Sequence, residues 1–413
     1  MAIATSVTDV CRAAREASRG LAQLDSAAKN DALQAVADAL IARTDEILDA
    51  NALDLEAGRE AGLSAALIDR LALDAGRVAA MAEGVRQVAA LPDPVGEVLD
   101  GGRLANGLSL RRIRVPLGVV AVVYEARPNV TIDAAALAFK SGNAIVLRGS
   151  STASHSNAVL AEIAASATPP DAISLVAGGG REELAELATQ SEYLDLIIPR
   201  GGEGLKKALS AVATVPVIYA ASGNCHVYVD ASADLDAALR IIVNAKVQRP
   251  GTCNSAETLL VHTDVAEAFL PRALSAMREH GVEVRGDSRV RGFDDAVVEA
   301  TDDDFATEFL ALTLAAGVVD SVDEAIAHVN RHGSGHSEAI VTADVASARA
   351  FQFGVDAACV YVNASTRFTD GFEFGMGAEI GNSTQKLHAR GPIGLRELCT
   401  YKYLVEGDGQ ARA

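Results

Sequence analysis

One cysteine lies where its neighbours favour chemistry over packing. Cys253 ends the run Gln248-Arg249-Pro250-Gly251-Thr252-Cys253, in which a Pro-Gly turn bends the backbone and no bulky apolar side chain shields the sulfur. A thiol attacks a carbonyl as its thiolate, and an isolated thiol with a pKa of about 8.5 is only slightly ionised at neutral pH. Arg249 is a candidate source of the positive field that stabilises the anion. The pattern predicts a nucleophile, although a buried structural cysteine is the common alternative.

The other four cysteines have the surroundings of packed core residues. Cys11 lies in an Ala-rich helical segment, Cys225 and Cys359 adjoin alternating apolar runs, and Cys399 follows a leucine. Free cysteines behave mostly as small hydrophobic residues, and these four positions fit that role. Five cysteines without paired spacing also favour a reducing compartment. We therefore expect a cytoplasmic protein in which Cys253 alone is reactive.

A predicted helix before Cys253 and a predicted strand after it would position this cysteine. A helix at 235–246 precedes it and a strand at 257–262 follows it, which predicts a loop between them. Upstream, four apolar runs alternate with helical segments, at 119–124, 144–147, 173–176 and 194–198. Continuous apolar strands separated by helices indicate a parallel sheet covered on both faces. The chain is therefore predicted to be an α/β protein with a nucleotide-binding architecture.

Two further segments are assigned structural roles. Helical periodicity up to residue 91 ends at Pro92 and Pro94. Because these helices carry no polar cluster, we expect them only to pack. The segment 108–114 reads as an extended strand, and its three arginines are typical of a charged edge strand.

Composition and charge exclude several classes of partner. The chain has 413 residues, 49% of them apolar and 4% aromatic, which suits two or three α/β domains. A net charge of −19 argues against nucleic-acid binding and gives no support for binding an anionic membrane. The N-terminus carries no apolar secretory signal, and the most apolar stretch, 115–124, is shorter than the roughly 20 residues of a membrane span.

A glycine loop is the best candidate for a phosphate contact. Arg200, Gly201 and Gly202 follow an apolar strand and open a helix, so their backbone N–H groups are suited to a pyrophosphate. A glycine-rich helix start is the plain alternative. The usual dinucleotide fingerprint of three spaced glycines is missing from the first parallel region.

Three histidines recur with a spacing that resembles a metal stripe. His328, His332 and His336 are four residues apart, but Gly333 and Gly335 interrupt the helix and no carboxylate completes a set. We expect no metal site.

Four longer stretches resemble one known family. They are the segments 243–254 and 360–371, Tyr124-Glu125-Ala126-Arg127-Pro128-Asn129-Val130, and Ser383-Thr384-Gln385-Lys386-Leu387-His388-Ala389-Arg390-Gly391-Pro392. Together they are similar to the gamma-glutamyl phosphate reductases, a family of the aldehyde dehydrogenase superfamily, and the similarity runs over essentially the whole chain. The resemblance implies an aldehyde-dehydrogenase-like α/β fold with two Rossmann-like parallel-sheet domains plus a small oligomerisation hairpin.

The resemblance also implies a division of the chain. Residues 1–100 and 116–226 would form the cofactor-binding domain, and residues 227–370 the catalytic domain. Residues 101–115 and 383–413 would supply the oligomerisation strands and the C-terminal segment. We expect a homo-oligomer, either a dimer or a tetramer, in which the extended segment described above pairs with a strand near 398–405.

Roles for individual residues come from the same resemblance. Cys253 would be the nucleophile, and the oxyanion would be held by its backbone N–H and by Asn129, for which a helix N-cap is the alternative. The cofactor would contact Arg148, Ser151, Arg200, Gly201, Gly202 and Glu308. The substrate anions would contact Arg127, Arg249 and Arg367, with no assignment of one arginine to each anion. Arg367 could equally tether the turn at 366–371.

The implied reaction is the NADPH-dependent reduction of L-glutamyl 5-phosphate to L-glutamate 5-semialdehyde, with release of phosphate, in proline biosynthesis. Arg148 is kept while Ser151 stands where NAD-specific relatives carry an acid, which favours the 2′-phosphate of NADP. The stretch 219–224 lacks the glutamate with which hydrolytic aldehyde dehydrogenases activate water, and this favours reduction of a thioester.

Two alternatives remain open at this point. A CoA-acylating aldehyde dehydrogenase would share Cys253 and the missing glutamate. A non-catalytic cofactor-binding or assembly protein is an alternative of another class. Because acyl phosphates hydrolyse, contact with a glutamate 5-kinase is a further hypothesis, for which the sequence shows no docking motif.

Overall fold

The N-terminal part of the chain is a layer of helices. The computed structural model describes residues 6–178, 180–219 and 223–412. Five helices come first: α1 (Val7–Leu21), α2 (Ser26–Ala42), α3 (Thr44–Glu60), α4 (Ala65–Leu71) and α5 (Ala75–Ala90). The Ser64 hydroxyl accepts from the Leu67 N–H and caps α4, as its position before an apolar run favours. The helical block ends just before Pro92, as predicted.

The first parallel sheet follows a short antiparallel pair. The pair is β1 (Val98–Arg103) and β2 (Ser109–Pro116). Strands and helices then alternate: β3 (Val119–Tyr124), α6 (Asn129–Lys140), β4 (Ala144–Arg148), a 3₁₀ turn (Ser151–Ala153), α7 (Ser154–Ser166), β5 (Ile173–Leu175), α8 (Arg181–Ala188), β6 (Leu196–Arg200) and α9 (Glu203–Val212). The four strands from β3 onward are parallel in the order β5-β4-β3-β6. All residues of β3 and β4 are buried, which confirms the predicted covered sheet.

A second and larger parallel sheet occupies the next part of the chain. Its elements are β7 (Cys225–Val229), α10 (Leu235–Val247), β8 (Ala256–His262), α11 (Thr263–Glu279), β9 (Glu283–Gly286), α12 (Ser288–Arg291), β10 (Val298–Glu299), α13 (Asp302–Phe305), β11 (Thr313–Val319), α14 (Val322–His332), β12 (Ser337–Val341), α15 (Val345–Gly354) and β13 (Cys359–Val362). The strand order is β10-β9-β11-β8-β7-β12-β13, with every neighbouring pair parallel. Two parallel sheets are thus present, as the predicted fold requires.

The chain ends in short strands, and its last strand returns to the antiparallel pair. After a 3₁₀ turn (Thr366–Phe368) come β14 (Asn382–Ser383), β15 (Gly391–Pro392) and β16 (Cys399–Glu406). β16 pairs with β2 over eight residues, so the predicted pairing of the two segments is confirmed.

The expectation that the arginine-rich strand lies at an edge is wrong. β2 is the central strand of the sheet β1-β2-β16. Its arginines are tolerated there because acidic side chains of neighbouring segments compensate them. Arg111 pairs with Glu406 at 2.7 Å and Arg114 with Glu97 at 2.9 Å, while Arg112 pairs with an aspartate of β1. The strand β1 was not predicted from the sequence.

The remaining cysteines and the histidines are placed much as their surroundings indicate. Cys11, Cys225 and Cys399 are buried, whereas Cys359 is only half-buried, and all are free thiols. α14 ends at His332, so His336 does not continue the histidine stripe of that helix. Within the described ranges no three His, Cys, Asp or Glu side chains are grouped to hold a metal ion. None of the helices in those ranges has the length and apolar character needed to cross a membrane.

Candidate active site

The loop that carries Cys253 joins α10 to β8 and is held by side-chain hydrogen bonds. Thr252 Oγ1 donates to the Arg249 carbonyl at 2.8 Å, which closes the turn before the cysteine. Arg367 donates from Nη1 to Thr252 Oγ1 at 2.9 Å and from Nε to Gln248 Oε1 at 3.0 Å. Arg367 therefore connects the turn at 366–371 to the Cys253 loop.

The loop opens into a cavity of about 370 Å³. Cys253 is half-buried in its wall. Eight of the residues predicted to do chemistry meet in this lining: Cys253, Arg127, Arg200, Gly201, Gly202, Arg249, Glu308 and Arg367. Acidic and amide side chains complete it, among them Glu125, Asp370, Glu379 and Asn382. The cavity is the candidate active site because it brings a thiol and several guanidinium groups together.

Charges around the thiol act in both directions. Burial raises the pKa of Cys253, Arg200 lowers it, and the carboxylates of Glu379 and Glu308 raise it further. The cation with the largest effect on the thiol is thus Arg200 rather than the predicted Arg249. Two carboxylates thus oppose the ionisation of the thiol.

The guanidinium groups crowd one another. Burial lowers the pKa of Arg127, and Arg200, Arg70 and Arg249 lower it as well. Burial and then Arg249 lower the pKa of Arg367 in the same way. Such mutual repulsion is relieved by an anion, so this side of the cavity is suited to phosphate or carboxylate groups.

Gly223 makes a close backbone contact with Cys253. A Cβ placed on Gly223 would lie 1.3 Å from the Cys253 carbonyl oxygen, so only glycine fits there. The Gly223 N–H donates to Glu308 Oε1 at 2.7 Å. Gly223 therefore connects the nucleophile to the residue predicted to hold the cofactor's ribose. The three residues before it, part of the stretch lacking the hydrolytic glutamate, lie outside the described residues.

The glycine loop predicted to meet a pyrophosphate already contacts an internal anion. β6 ends at Arg200 and α9 begins after Gly202, as predicted. The Gly202 N–H donates to Glu125 Oε2 at 3.0 Å. A Cβ on Gly201 would lie 2.6 Å from the same oxygen, whereas one on Gly202 would meet nothing within 4 Å. The loop thus shows the anion-binding geometry of a helix N-terminus with space beside it.

Three predicted site residues do not line this cavity. Arg148, at the end of β4, is 6% exposed and donates from Nη2 to the Gly180 carbonyl at 2.6 Å, while its buried Nε has no hydrogen-bond partner among the described residues. Ser151 is exposed at the start of the following 3₁₀ turn. Asn129 donates from Nδ2 to Asp133 Oδ2 at 3.0 Å. The N-cap of α6 is Pro128, so the capping alternative for Asn129 is wrong by one position.

The structure adds residues that the sequence reasoning missed. Arg70 and Leu67 of α4 line the cavity, which corrects the expectation that the N-terminal helices only pack. Glu379 and Asn382 lie in the segment between two of the recognised motifs and were not considered. An acidic side chain in a glycine-rich loop after Arg367 was the available signal, but nothing in one sequence ties that loop to Cys253.

Comparison with known proteins places this site in a family. The model of the aldehyde dehydrogenase family matches residues 1–291. The chain belongs to this family and is an oxidoreductase.

The particular branch is shown by closer relatives. The chain is 55% identical to a gamma-glutamyl phosphate reductase of Thermobifida fusca, with 99% of both chains covered, and 56% identical to one of Heliobacterium modesticaldum, with 97% of both covered. The crystal structure of gamma-glutamyl phosphate reductase from Thermotoga maritima superposes with a TM-score of 0.97 at 47% identity, covering 99% of this chain and 100% of that one. The chain belongs to the gamma-glutamyl phosphate reductase family.

Proposed function

We propose that this protein reduces L-glutamyl 5-phosphate to L-glutamate 5-semialdehyde with release of phosphate, in proline biosynthesis, through a thioester on Cys253 and with NADPH. The family membership supports the substrate. The observation that carries the mechanism is a half-buried thiol in a cavity whose lining includes Arg127, Arg200 and Arg249.

Cys253 would attack the acyl carbonyl of the substrate. A carbon–sulfur bond forms, the carbon–oxygen bond to phosphate breaks, and the thiol proton leaves to solvent or to the departing phosphate. Arg200 supports this step because it lowers the pKa of the thiol. Arg127 and Arg249 suit the phosphate and the α-carboxylate, since paired guanidinium hydrogen bonds match both anions. Arg367 would mainly hold the loop, because two of its nitrogens already bond to it.

The oxyanion formed at each tetrahedral stage needs donors. The Cys253 backbone N–H is one proposed donor, and each such donor lowers the barrier by about 3 to 4 kcal/mol. Asn129 remains the proposed second donor. Its amide would have to exchange its bond to Asp133 for the oxyanion.

The chain's residues fit a dinucleotide cofactor. Gly201 and Gly202 offer a helix N-terminus with open space, and Arg148 keeps a buried donor without a partner among the described residues. Ser151 lies close in sequence to Arg148, and Glu308 faces the cavity beside Cys253. When bound, the reduced nicotinamide supplies the hydride that takes the thioester to the aldehyde level. Glu125 would give up the Gly202 N–H to a phosphate. Ser151 stands where NAD-specific relatives carry an acid, while Arg148 is kept. This combination supports NADP over NAD.

A reverse assay tests this function. Wild-type protein given L-glutamate 5-semialdehyde and NADP should reduce NADP only when inorganic phosphate is added, and NAD should be the poorer acceptor. Cys253→Ser should lose at least about 1,000-fold in rate, since the nucleophile is removed. A rate that depends on CoA instead of phosphate would overturn the proposal in favour of an acylating aldehyde dehydrogenase.

The free cysteines and the edge strand β16 bear on the location and assembly of the protein. The free cysteines suit the reducing cytoplasm. β16 has an unpaired edge in the sheet β1-β2-β16, through which a homodimer or tetramer could extend the sheet. Sedimentation of the purified protein reports its oligomeric state, and co-purification tests contact with a glutamate 5-kinase.

A further inference from the structure

One wall of the active-site cavity carries two buried acceptor oxygens that have no partner among the described residues. Asp370, Glu379 and Asn382, here called the acidic wall, all line the cavity. Asn382 is only 3% exposed, yet its Oδ1 has no hydrogen-bond partner among the described residues, and neither does Glu379 Oε2. A buried acceptor left without a hydrogen bond is unfavourable. These oxygens therefore point to a ligand that donates hydrogen bonds.

The acidic wall is held in place by the backbone around it. Asn382 belongs to β14, which pairs with β15 through Pro392 and Gly391. The Ile380 N–H donates to the Ile393 carbonyl at 2.9 Å, and the Ile393 N–H returns to the Gly381 carbonyl at 2.7 Å. Two unpaired acceptors on a fixed backbone are pre-organised for a ligand.

The negative charge of the acidic wall opposes ionisation of Cys253. Burial raises the pKa of Glu379 to about 6, Arg200 lowers it, and Asp370 raises it. The Glu379 carboxylate in turn raises the pKa of Cys253. A cation bound at this wall would cancel that effect and make the thiolate easier to form.

We propose that the acidic wall binds the α-ammonium group of the substrate and that this contact determines substrate specificity. This rests on the proposed function. The substrate carries a phosphate and a carboxylate, which suit the arginines, and a single cation, which needs acceptors. Three N–H donors of an ammonium match the carboxylates of Glu379 and Asp370 and the amide oxygen of Asn382. An acyl phosphate without the ammonium would leave these acceptors unpaired and is therefore rejected.

A second consequence links binding to activation. Because the ammonium neutralises Glu379, a substrate that bears it lowers the pKa of Cys253, and an analogue without it does not. Arg200, Glu379 and Glu308 are the charged groups that act most on this thiol, and only Glu379 belongs to the acidic wall.

The test compares two aldehydes in the reverse reaction with phosphate and NADP. L-Glutamate 5-semialdehyde carries the ammonium, and 5-oxopentanoate is the same chain without it. Wild-type protein should prefer the amino aldehyde at least about 100-fold in kcat/KM. Glu379→Gln should cut that preference at least about tenfold, because the amino aldehyde loses a contact that 5-oxopentanoate never makes. Cyclisation of the semialdehyde affects all variants equally, so the change in preference is the readout.

Controls separate the possible failures. Glu373→Gln changes an exposed carboxylate that does not line the cavity and should leave the preference unaltered. If Glu379→Gln does not fold, Asp370→Asn takes its place. An unchanged preference in a folded variant overturns the acidic wall and leaves the proposed function intact. A wild-type protein that uses neither aldehyde overturns both.

A further readout reports on the thiol directly. The rate of Cys253 alkylation by iodoacetamide, followed by mass spectrometry across pH, gives its pKa in the ligand-free protein. Glu379→Gln should lower that pKa by about half a unit or more, whereas a merely structural role would not move it in this direction. L-Glutamate should lower it in the wild type, and glutarate should not. An unchanged pKa in both experiments contradicts the coupling.

Discussion

At the scale of single residues, Cys253 depends on contacts that its own sequence neighbours do not reveal. The motif around it predicts a nucleophile in a turn, and the structure has that turn. The charges that decide its ionisation come from Arg200, Glu308 and Glu379, which are distant in sequence. Sequence reasoning found Arg200 through its glycine loop and Glu308 through a resemblance to a family, both as cofactor contacts. It missed Glu379, because a lone glutamate in a loop has no signature of its own.

A glycine contact gives a prediction at this scale. Gly223→Ala would place a methyl group against the Cys253 carbonyl, so the loop or the Gly223 backbone must shift. We expect kcat/KM to fall at least about 100-fold, because a displacement of about 1 Å at a reacting centre costs that much. Thermal melting measured beside steady-state kinetics will show whether the fold survives.

Gly84→Ala is the matched control. Gly84 lies within α5, and a Cβ there meets nothing within 4 Å. Alanine should be neutral or stabilise the helix by about 0.5 to 1 kcal/mol, with full activity. Wild-type kinetics in Gly223→Ala would show that the close contact is not needed.

At the scale of elements, a buried ion pair joins the two segments that carry the nucleophile's loop. Lys246 of α10 and Glu257 of β8 are both fully buried and lie 2.5 Å apart. Burial raises the pKa of Glu257 to about 7 against the opposing effect of Lys246. Glu257 Oε1 also accepts from the N–H of Leu310, a residue with φ of 53°, two positions after Glu308. The pair therefore holds both the Cys253 loop and the Glu308 segment.

Breaking this pair should destabilise the protein strongly. Lys246→Met leaves a buried carboxylate without its cation and is expected to lower the free energy of unfolding by about 3 to 5 kcal/mol. Adding Glu257→Gln removes the orphaned charge, keeps an acceptor for the Leu310 N–H, and should restore at least half of that loss. Urea denaturation of the single and double variants measures both values.

An exposed pair provides the comparison. Arg272 and Asp236 are 45% and 71% exposed, so Arg272→Met should cost less than about 1 kcal/mol. A Lys246→Met variant as stable as Arg272→Met would refute the role given to the buried pair.

The elements also show how far sequence reasoning reaches. Alternating apolar runs such as 119–124 predicted the parallel strands, because a strand buried on both faces is continuously apolar. The arginines of 108–114 misled the assignment of an edge, since the acids that pair with them lie on β1, just before β1, and on β16. Arg70 was missed because helix periodicity tells which face packs, not which cavity an exposed side chain reaches.

At the scale of the whole molecule, the site is a local exception to the protein's charge. The chain carries a net charge of −19, yet the cavity lining includes Arg70, Arg127, Arg200, Arg249 and Arg367. The global field repels an anionic substrate, so the local cluster must supply the attraction. The net charge alone sets this constraint. It could not predict that acidic residues line the same cavity as the arginines, because that arrangement exists only after folding.

The most direct test of the central claim is to trap the acyl group on Cys253. Protein mixed with L-glutamyl 5-phosphate, generated in place by a glutamate kinase and without nicotinamide, is digested and analysed by mass spectrometry. We predict one glutamyl group on the peptide that contains Cys253, absent in Cys253→Ser and lost when NADPH is added. Turnover by the wild type without any acyl adduct at Cys253, or an adduct at another residue that NADPH discharges, would contradict the account.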